Sequence, residues 1–473
     1  MTSDEVEQFM RRTFAIDCPQ MTLRQNVDLK PRVCTGPGTI YQTDEGKLLF
    51  KLYSAGQRDT GLLVRMFGPG SLKAGEIVPR TEYFTLEATA LNGADWRCEV
   101  VLPEFSQGVL GGPVANGSLF EIYKITLDPY DKGDSSSLSL RFGRDFDFPG
   151  NAAKTTKTFL NNVERGFSGD WTSAMFDAAG LKFELHKDHG SVFLSAEWNN
   201  PSLPRHLDLR ICEALEFTFF QHERWVIRVA SEDKQHVTTL RPFQKPLPKS
   251  TLPPLRFNGS TPGDRSVWTL FMKYLEFVLK HDQPKWHAVS ENIHLAVIGN
   301  SASMESRLLG LSVALEGVAT VGFPSIASAD NRLDEQINAG LKLISESALD
   351  ESFKSRLAGA LGAMKIPRAK DKLRAFVGAG LIRRELMDAW SGMRNSAVHA
   401  SGLDPAEIKT VHRNYQSALT LLNELVMLLI DYRGVYTDYS VPGWPQREWK
   451  GMFGSVEGAV TSSNETNSDM QSH

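Results

Sequence analysis

The chain has 473 residues, of which 41% are hydrophobic and 23% are charged, and its formal net charge is -4. This length exceeds one ordinary hydrophobic core and predicts two or three domains of a soluble globular protein, while the net charge alone does not favour a nucleic-acid binder. Four widely spaced cysteines without a C-x-x-C pair argue against a zinc ribbon or a disulfide framework: Cys18, Cys34, Cys98 and Cys212.

The N-terminus, MTSDEVEQFMRRTF, is polar and acidic where a signal peptide would need a basic start and an apolar run. The longest apolar block, residues 425–430, is far too short to span a membrane. We therefore expect a cytoplasmic protein that has no membrane partner.

Residues 1–245 are predicted to form a β-rich N-terminal domain. Apolar and polar side chains alternate over residues 181–186 and 192–198, with Asp188, His189 and Gly190 between them, which is the pattern of a β-hairpin. Several strands at this spacing predict an antiparallel sandwich or barrel rather than alternating β and α units, and we expect a sandwich-like domain. Further strand candidates are residues 99–102, 120–127, 138–142, 215–220 and 225–229.

Residues 246–284 are predicted to be a proline-rich linker followed by a connecting helix. From residue 285 to 434, apolar residues recur every three to four positions, which predicts an all-α bundle and makes the fold class α+β. The remaining residues, 435–473, are predicted to be an aromatic extension and a disordered tail. The candidate helices are residues 267–280, 304–319, 333–346, 351–364, 370–398 with breaks allowed at its glycines, and 405–432.

The helix at residues 405–432 has the clearest boundaries. Asp404 stands before Pro405, with Glu407 three positions after Asp404, and this combination is typical of a helix start, while Gly434 marks the stop. Its apolar face is predicted to contain Ile408, Val411, Tyr415, Ala418, Leu422, Leu425 and Leu429.

Basic residues are concentrated in one window of this bundle. Residues 354–384 contain nine Lys or Arg and one acid, a net charge of +8, so the rest of the chain sums to -12. Release of counter-ions would favour phosphate binding here, and a pair of ordinary solvated helices is the alternative. The candidate substrate contacts are Lys370, Lys372, Arg374, Arg383 and Arg384.

Three polar residues stand near the end of the bundle in the order R-N-x-x-x-H, namely Arg394, Asn395 and His399, and the arginine and histidine are types that suit RNA cleavage. Cleavage of RNA by its own 2′-hydroxyl needs a group that exchanges a proton near neutral pH, and histidine does so without perturbation. It also needs a fixed cation for the charge that grows on the phosphate, and arginine supplies a planar fork that stays charged. This scheme requires no metal ion.

The spacing resembles the R-N-x-x-x-H signature of the HEPN ribonucleases, and a strand-rich domain before such a motif resembles the ApeA-type anti-phage proteins. The resemblance implies an endoribonuclease of abortive infection that acts on tRNA and leaves a 2′,3′-cyclic phosphate and a 5′-hydroxyl. It implies that Arg394 holds the scissile phosphate, that Asn395 fixes geometry or contacts ribose, and that His399 is a general acid or base. Glu316 resembles, loosely, an acidic residue that many HEPN domains carry.

The same resemblance implies a homodimer or higher homo-oligomer through the HEPN domain, because two motifs face each other across a twofold axis in this family. It also implies that the N-terminal domain senses a phage-derived trigger, which would be its partner, or restrains the nuclease.

Helix geometry predicts which side of the motif helix faces the core. At about 100° per residue, Ile382, Leu386, Ala389, Trp390, Met393 and Ala397 share one stripe. Arg394 is predicted to lie on the flank of this stripe. Asp388 is a candidate to orient a neighbour in the site, and plain surface is the alternative. The opposite side is predicted to contain Arg384, Asp388, Ser391, Asn395 and His399.

Two other functions remain open at this point. One is a non-enzymatic RNA- or protein-binding HEPN module with a ligand-sensing β domain, and the other is a carbohydrate-active β domain with paired carboxylates. No cofactor and no metal site are predicted, because the chain has no glycine-rich phosphate loop and His186 and His189 lack a third ligand nearby. Packing or helix capping is the expected use of His281, His287 and His294.

Overall fold

The computed structural model describes residues 1–54, 76–107, 113–127, 134–160, 163–188, 190–245, 252–257, 265–300, 302–326, 331–364, 368–398 and 408–450, with the backbone alone at residues 153–160, 163–171, 331–334 and 395–398. His189, His399, the predicted helix start at Asp404 and Pro405, and the predicted disordered tail lie outside the described residues. The chain divides into two compact units. Unit 1 is Met1–Asp208 with Glu223–Pro246, and unit 2 is Leu209–His222 with Leu247–His473.

Unit 1 is built on strands that pair antiparallel throughout the part of the chain that is described. The strand bounds in this unit are β1 Ala15–Gln25, β2 Val33–Gln42, β3 Leu48–Tyr53, β4 Phe84–Thr89, β5 Asp95–Val101, β6 Glu104–Gln107, β7 Pro113–Leu119, β8 Ile122–Leu127, β9 Ser136–Phe142, β10 Ala152–Leu160, β11 Val163–Ala178, β12 Leu181–Asp188, β13 Ser191–Trp198, β14 Trp225–Glu232 and β15 Gln235–Leu240.

The fifteen strands form one hydrogen-bonded sheet in the order β10-β11-β12-β13-β9-β14-β15-β8-β5-β4-β1-β2-β3-β7-β6. The predicted antiparallel, β-rich character is confirmed. The expected sandwich-like division into two sheets is not seen in the hydrogen bonding, which is continuous from β10 to β6. The predicted hairpin is confirmed as β12 and β13, with Leu185 opposite Leu194 and with Gly190 at a φ of 81° in the turn.

A short helix, α1 (Ser3–Met10), was absent from the sequence prediction. Thr2 accepts a hydrogen bond from the Glu5 backbone N–H while the Glu5 side chain accepts one from the Thr2 N–H, so the first turn is capped reciprocally. Phe9 from α1 is fully buried and packs edge-on to Phe14 within the core of unit 1. This aromatic contact explains why eight polar-rich residues hold a helix.

Unit 2 is mainly helical, as predicted for the C-terminal part. The helices are α2 Leu207–Phe219, whose residues from Leu209 belong to unit 2, α3 Arg265–Val278, α4 Ala288–Gly299, α5 Met304–Val321, α6 Asn331–Glu346, α7 Glu351–Ala363, α8 Ala369–Gly378, α9 Arg384–Val398 and α10 Ile408–Leu429. A two-stranded sheet follows them, formed by β16 Gly434–Thr437 and β17 Gln446–Trp449. The predicted break within residues 370–398 is confirmed at Gly380, which has a φ of 70° between α8 and α9.

The strand predicted at residues 215–220 is wrong, because residues 215–219 lie in α2 and Phe220 follows it in a turn. Every residue from Arg210 to Phe220 is buried, so the apolar run LEFTFF shows no helical period. The helix α4 was also missed. Its sequence, AVSENIHLAVIG, distributes apolar residues all round the helix instead of on one stripe.

The helix α10 is more deeply buried than its predicted apolar face requires. Thr420, Asn423 and Glu424 are buried together with five of the seven predicted apolar positions, because α5, α9 and the segment after α10 cover it on several sides. The two end positions differ, since Ile408 is exposed and Leu429 is only partly buried. Residues 252–257 of the predicted linker pack on that same segment, where the Thr437 N–H donates to the Pro254 carbonyl at 2.9 Å.

All four cysteines are buried thiols. Among the helices described, none combines the length and the apolar character that crossing a membrane would require.

Candidate functional site

The motif helix α9 is orientated as its periodicity predicted. Ile382 just before α9 and Leu386, Trp390 and Met393 within it are buried against the bundle. Arg384 and Asp388 on the opposite side are exposed. The helix passes through Gly392 without interruption, so the motif begins on regular helix.

Arg394 forms an ion pair with Glu316 of α5. Nε of Arg394 lies 2.5 Å from Oε1 of Glu316, and the two side chains are 51% and 37% exposed. These residues are separated by 78 positions in the chain, so the packing of α9 on α5 brings them together. The arrangement presents a guanidinium at the surface with one edge held by a carboxylate.

Asn395 belongs to α9, and its side chain is not among those described, while His399 lies outside the described residues. Position 399 is one residue beyond the last residue of α9, Val398. The structure therefore positions the arginine of the motif and the helix that leads to the histidine.

The exposed face of α5 that contains Glu316 is partly apolar. Leu309 and Val313 are 51% and 42% exposed. At about 100° per residue, Leu309, Val313, Glu316 and Thr320 fall within one narrow stripe along the helix. We call these four residues the α5 stripe. Adjacent exposed apolar side chains next to a candidate site are typical of a surface that another protein covers.

Three of the five predicted basic contacts are exposed. Lys370 and Arg374 lie on α8, and Nζ of Lys370 is 3.4 Å from Oγ of Ser391 on α9. Arg374 pairs with Asp371, and Arg384 on α9 pairs loosely with Asp388 at 3.7 Å. Asp388 is thus an exposed surface residue whose ion pair is with Arg384.

Lys372 is a correction to the predicted basic surface. Its side chain is buried, and Nζ donates to the carbonyl oxygens of Thr320 and Phe323 at 3.1 and 2.8 Å. Both carbonyls belong to the C-terminal end of α5 or the residues just after it, where helices have carbonyls without intrahelical partners. Lys372 therefore caps α5 and does not present its charge to a ligand.

Arg383 is the second correction. It donates to Glu424 of α10 at 2.8 Å and to Asp438 at 2.9 Å, and both carboxylates are buried. Burial acts against its charged form, but the two carboxylates raise the pKa of Arg383 above its ordinary value. Tyr436 donates a further hydrogen bond of 2.8 Å to Glu424. This arginine joins the start of α9 to α10 and to the segment beyond it.

A second cluster of polar side chains was missed by the sequence analysis. Arg210, Glu213 and Glu216 lie one helical turn apart on α2, and all three are buried. Arg210 forms an ion pair with Glu213 and donates to the carbonyls of Gln283 and Lys285 at 2.9 and 2.5 Å. These charged residues recur at every third position of an otherwise apolar stretch. This spacing would have indicated a helix with a buried polar stripe.

Glu213 connects this stripe to the start of α4. Its carboxylate accepts hydrogen bonds from Ser290 Oγ at 2.5 Å and from the His287 backbone N–H at 3.3 Å. Burial raises the pKa of Glu213 to about 7, while Ser290 and Arg210 favour the ionised form. His287 itself caps α4, since its Nδ1 accepts from the Val289 N–H, which confirms one of the uses expected for this histidine.

Glu216 is in contact with two histidines. Oε1 lies 2.6 Å from Nδ1 of His294 on α4, and Oε2 is hydrogen-bonded to Nδ1 of His222, in the turn after α2. The two imidazole rings have centroids 4.7 Å apart, and Trp286 packs on both of them. These contacts lower the pKa of Glu216 although burial acts in the opposite direction.

Comparisons of the chain with protein-family models, with curated proteins and with solved structures found no significant match.

Proposed function

We propose that the chain is a metal-independent endoribonuclease of the HEPN type, acting in the cytoplasm on tRNA as part of an anti-phage response. The R-N-x-x-x-H spacing is the basis of this proposal. The observation that best supports it is the exposed ion pair of Arg394 with Glu316, because it presents a cation at the surface of the helix that leads to His399. Glu316 is the acidic residue that the resemblance pointed to.

The proposed roles follow from the chemistry of each group. A guanidinium has five N–H donors, so an ion pair through Nε leaves donors that can bind a phosphate oxygen. Glu316 would orient Arg394, and Asn395 would fix geometry or contact ribose. His399 would exchange the proton of the 2′-hydroxyl or of the 5′-oxygen. Strand scission would then give a 2′,3′-cyclic phosphate and a 5′-hydroxyl.

A second copy of the chain is part of this proposal. One histidine cannot act as base and acid at the same instant, and a twofold axis would supply two. The α5 stripe places Leu309 and Val313 on the same face as Glu316, so an isologous contact there would bury apolar surface beside both arginines. Unit 1 would sense a phage-derived trigger or restrain the nuclease.

The test is cleavage of tRNA by the purified full-length chain in the presence of EDTA, compared with its Arg394→Ala and His399→Ala variants. We expect both variants to lose at least about 100-fold in rate, the order associated with removing a proton-transfer group or a charge-stabilising donor. The new 5′ ends should accept phosphate from polynucleotide kinase without prior phosphatase treatment, because they are hydroxyls.

Arg11→Ala is the matched control. Arg11, the residue after α1, forms an exposed ion pair with Glu7 of α1 at 2.5 Å, so this variant also removes a surface arginine from a pair with a glutamate. It should cleave at the parental rate. Parental cleavage by His399→Ala would refute the nuclease assignment, and tight RNA binding without cleavage by the parent would favour the non-enzymatic HEPN module.

A further inference from the structure

The three side chains Glu216, His222 and His294 converge from separate parts of unit 2. They belong to α2, to the turn after α2 and to α4, and their potential ligand atoms all lie within 4.8 Å of one another. We propose that these residues form a binding site for one divalent transition-metal ion of the zinc class. The site is separate from the residues assigned to RNA cleavage and goes beyond that function.

The charge of Glu216 supports a bound cation. Its side chain is 1% exposed, and a buried carboxylate is costly unless a positive charge accompanies it. The charge of Glu213, one turn earlier on α2, is compensated by its ion pair with Arg210. Among the described residues, Glu216 has no Lys or Arg at ion-pair distance, and both of its ion-pair contacts are histidines. The compensating charge must therefore come from an imidazolium or from a metal ion.

The donor set favours the metal ion and indicates its class. Two imidazole nitrogens and one carboxylate are the ligands that zinc and neighbouring transition metals use, whereas magnesium and calcium prefer oxygen alone. Three protein ligands leave a fourth tetrahedral position for water or another ligand. The residues thus suit an open zinc site better than a closed structural one.

The surroundings of the cluster also suit an ion. The His294 side chain is 28% exposed and that of His222 is 9% exposed, so solvent reaches the cluster from the side of His294. An ion bonds such donors at about 2.0–2.2 Å, so the nitrogen–oxygen separations must open by up to about 1 Å to admit it. Trp286 packs on both rings and forms an aromatic wall beside the site.

The test is metal uptake by the full-length chain after EDTA treatment and removal of the chelator. We expect one Zn²⁺ per chain by elemental analysis, and Co²⁺ in its place should give the visible absorption of a four-coordinate complex. Glu216→Gln and His294→Ala should each weaken binding by at least about 100-fold, since loss of outer-shell partners alone costs 10–100-fold. His281→Ala is the control and should bind as the parent does, because His281 contacts His287 and not the three ligands.

A further variant guards against loss of folding in Glu216→Gln or His294→Ala. His294→Cys replaces one zinc ligand with another, so it should retain Zn²⁺, and its Co²⁺ complex should gain a thiolate-to-cobalt charge-transfer band. The absence of stoichiometric uptake by the parent would overturn the proposal and leave an imidazolium as the partner of Glu216. Binding of Co²⁺ by His294→Cys without the charge-transfer band would also overturn it, as would parental affinity in folded Glu216→Gln.

Discussion

His287 shows how the fold fixes the protonation state of a single residue. Its Nδ1 accepts a hydrogen bond of 3.1 Å from the Val289 N–H, and a ring nitrogen can accept only when it has no proton. Burial, with His281 and Arg210 as further causes, lowers the pKa of His287 from 6.5 to about 4. Between these two values the unfolded chain binds a proton that the folded chain does not bind. Stability from this residue is therefore fully present above pH 6.5 and is lost as the pH falls toward 4.

The prediction for His287 concerns the slope of stability against pH. His287→Asn keeps a short polar cap for α4 but does not titrate. Between pH 7 and pH 4.5 the parent should lose about 1–2 kcal/mol more unfolding free energy than the variant, after allowance for the partial exposure of the ring. Denaturant unfolding at a series of pH values measures both slopes. Identical slopes would contradict the assignment of a neutral His287 in the folded state.

Lys372 is a charged residue whose role is structural. Its ammonium donates to the carbonyls of Thr320 and Phe323, and burial lowers its pKa. Lys372→Met preserves the apolar stem and removes the donor, so we predict a loss of about 2–3 kcal/mol in unfolding free energy from two buried carbonyls left without it. The tRNA affinity of the folded variant should remain at the parental value.

Lys370→Met is the control for Lys372→Met, because Lys370 is exposed and should change the unfolding free energy by no more than about 0.5 kcal/mol. If Lys372→Met kept the parental stability and weakened tRNA binding, the side chain would belong to the RNA surface after all.

At the level of elements, α5 combines two faces with different tasks. Leu308, Leu311, Leu315 and Val318 are buried in the bundle, while the α5 stripe is turned outward. Two of the four residues of the stripe, Leu309 and Val313, are exposed apolar side chains that a partner would bury. The stripe thus connects the packing of α5 with the proposed assembly of two catalytic sites.

The element-scale prediction is that a charge in the stripe separates the copies. Val313→Lys should convert the oligomer to a monomer in light scattering and reduce tRNA cleavage to the level of Arg394→Ala, since an unpaired ammonium in an apolar interface is costly. Its circular dichroism should match that of the parent. Leu343→Lys, at an exposed leucine of α6, is the matched control and should remain assembled and active. An assembled, active Val313→Lys would exclude the stripe as the interface.

At the scale of the whole molecule, the positive charge available at the surface is smaller than the number of basic residues in the sequence suggests. The basic window has a net charge of +8, but Lys372 and Arg383 from this window have internal partners. Three exposed cations of the window remain, two on α8 and one on the motif helix α9, namely Lys370, Arg374 and Arg384. Under the proposed function, a chain with a net charge of -4 would bind RNA through this local surface rather than through its overall field.

This local surface has a measurable signature in salt. Each phosphate contact contributes roughly 0.7–0.9 to the slope of log K against log salt, so replacing Lys370, Arg374 and Arg384 together with Gln should lower that slope by roughly 2–3. Fluorescence anisotropy with labelled tRNA can be measured in a His399→Ala background, where cleavage is not expected. An unchanged slope would show that these cations do not contact phosphate.

The sequence by itself determined those features that depend on local periodicity and backbone chemistry. The hairpin β12–β13, the helices α5 and α7, the break at Gly380 and the place of Arg394 on the flank of the buried stripe all follow from periods of two or of about 3.6 and from a glycine in a left-handed conformation. The same rule failed for α2, because a helix that is buried on every side carries no apolar stripe to detect. It failed for α4 because apolar residues surround that helix, including Leu295 and Ile298 on its exposed side.

Only the tertiary structure decided which distant residues meet. Arg394 and Glu316 are 78 positions apart, as are Glu216 and His294, and helix packing brings each pair into contact. It also decided that Lys372 and Arg383 have internal partners, although the sequence places them beside equally basic residues that face solvent. Periodicity assigns a side chain to a face of its helix, but the neighbour that covers that face is set by packing across the whole unit.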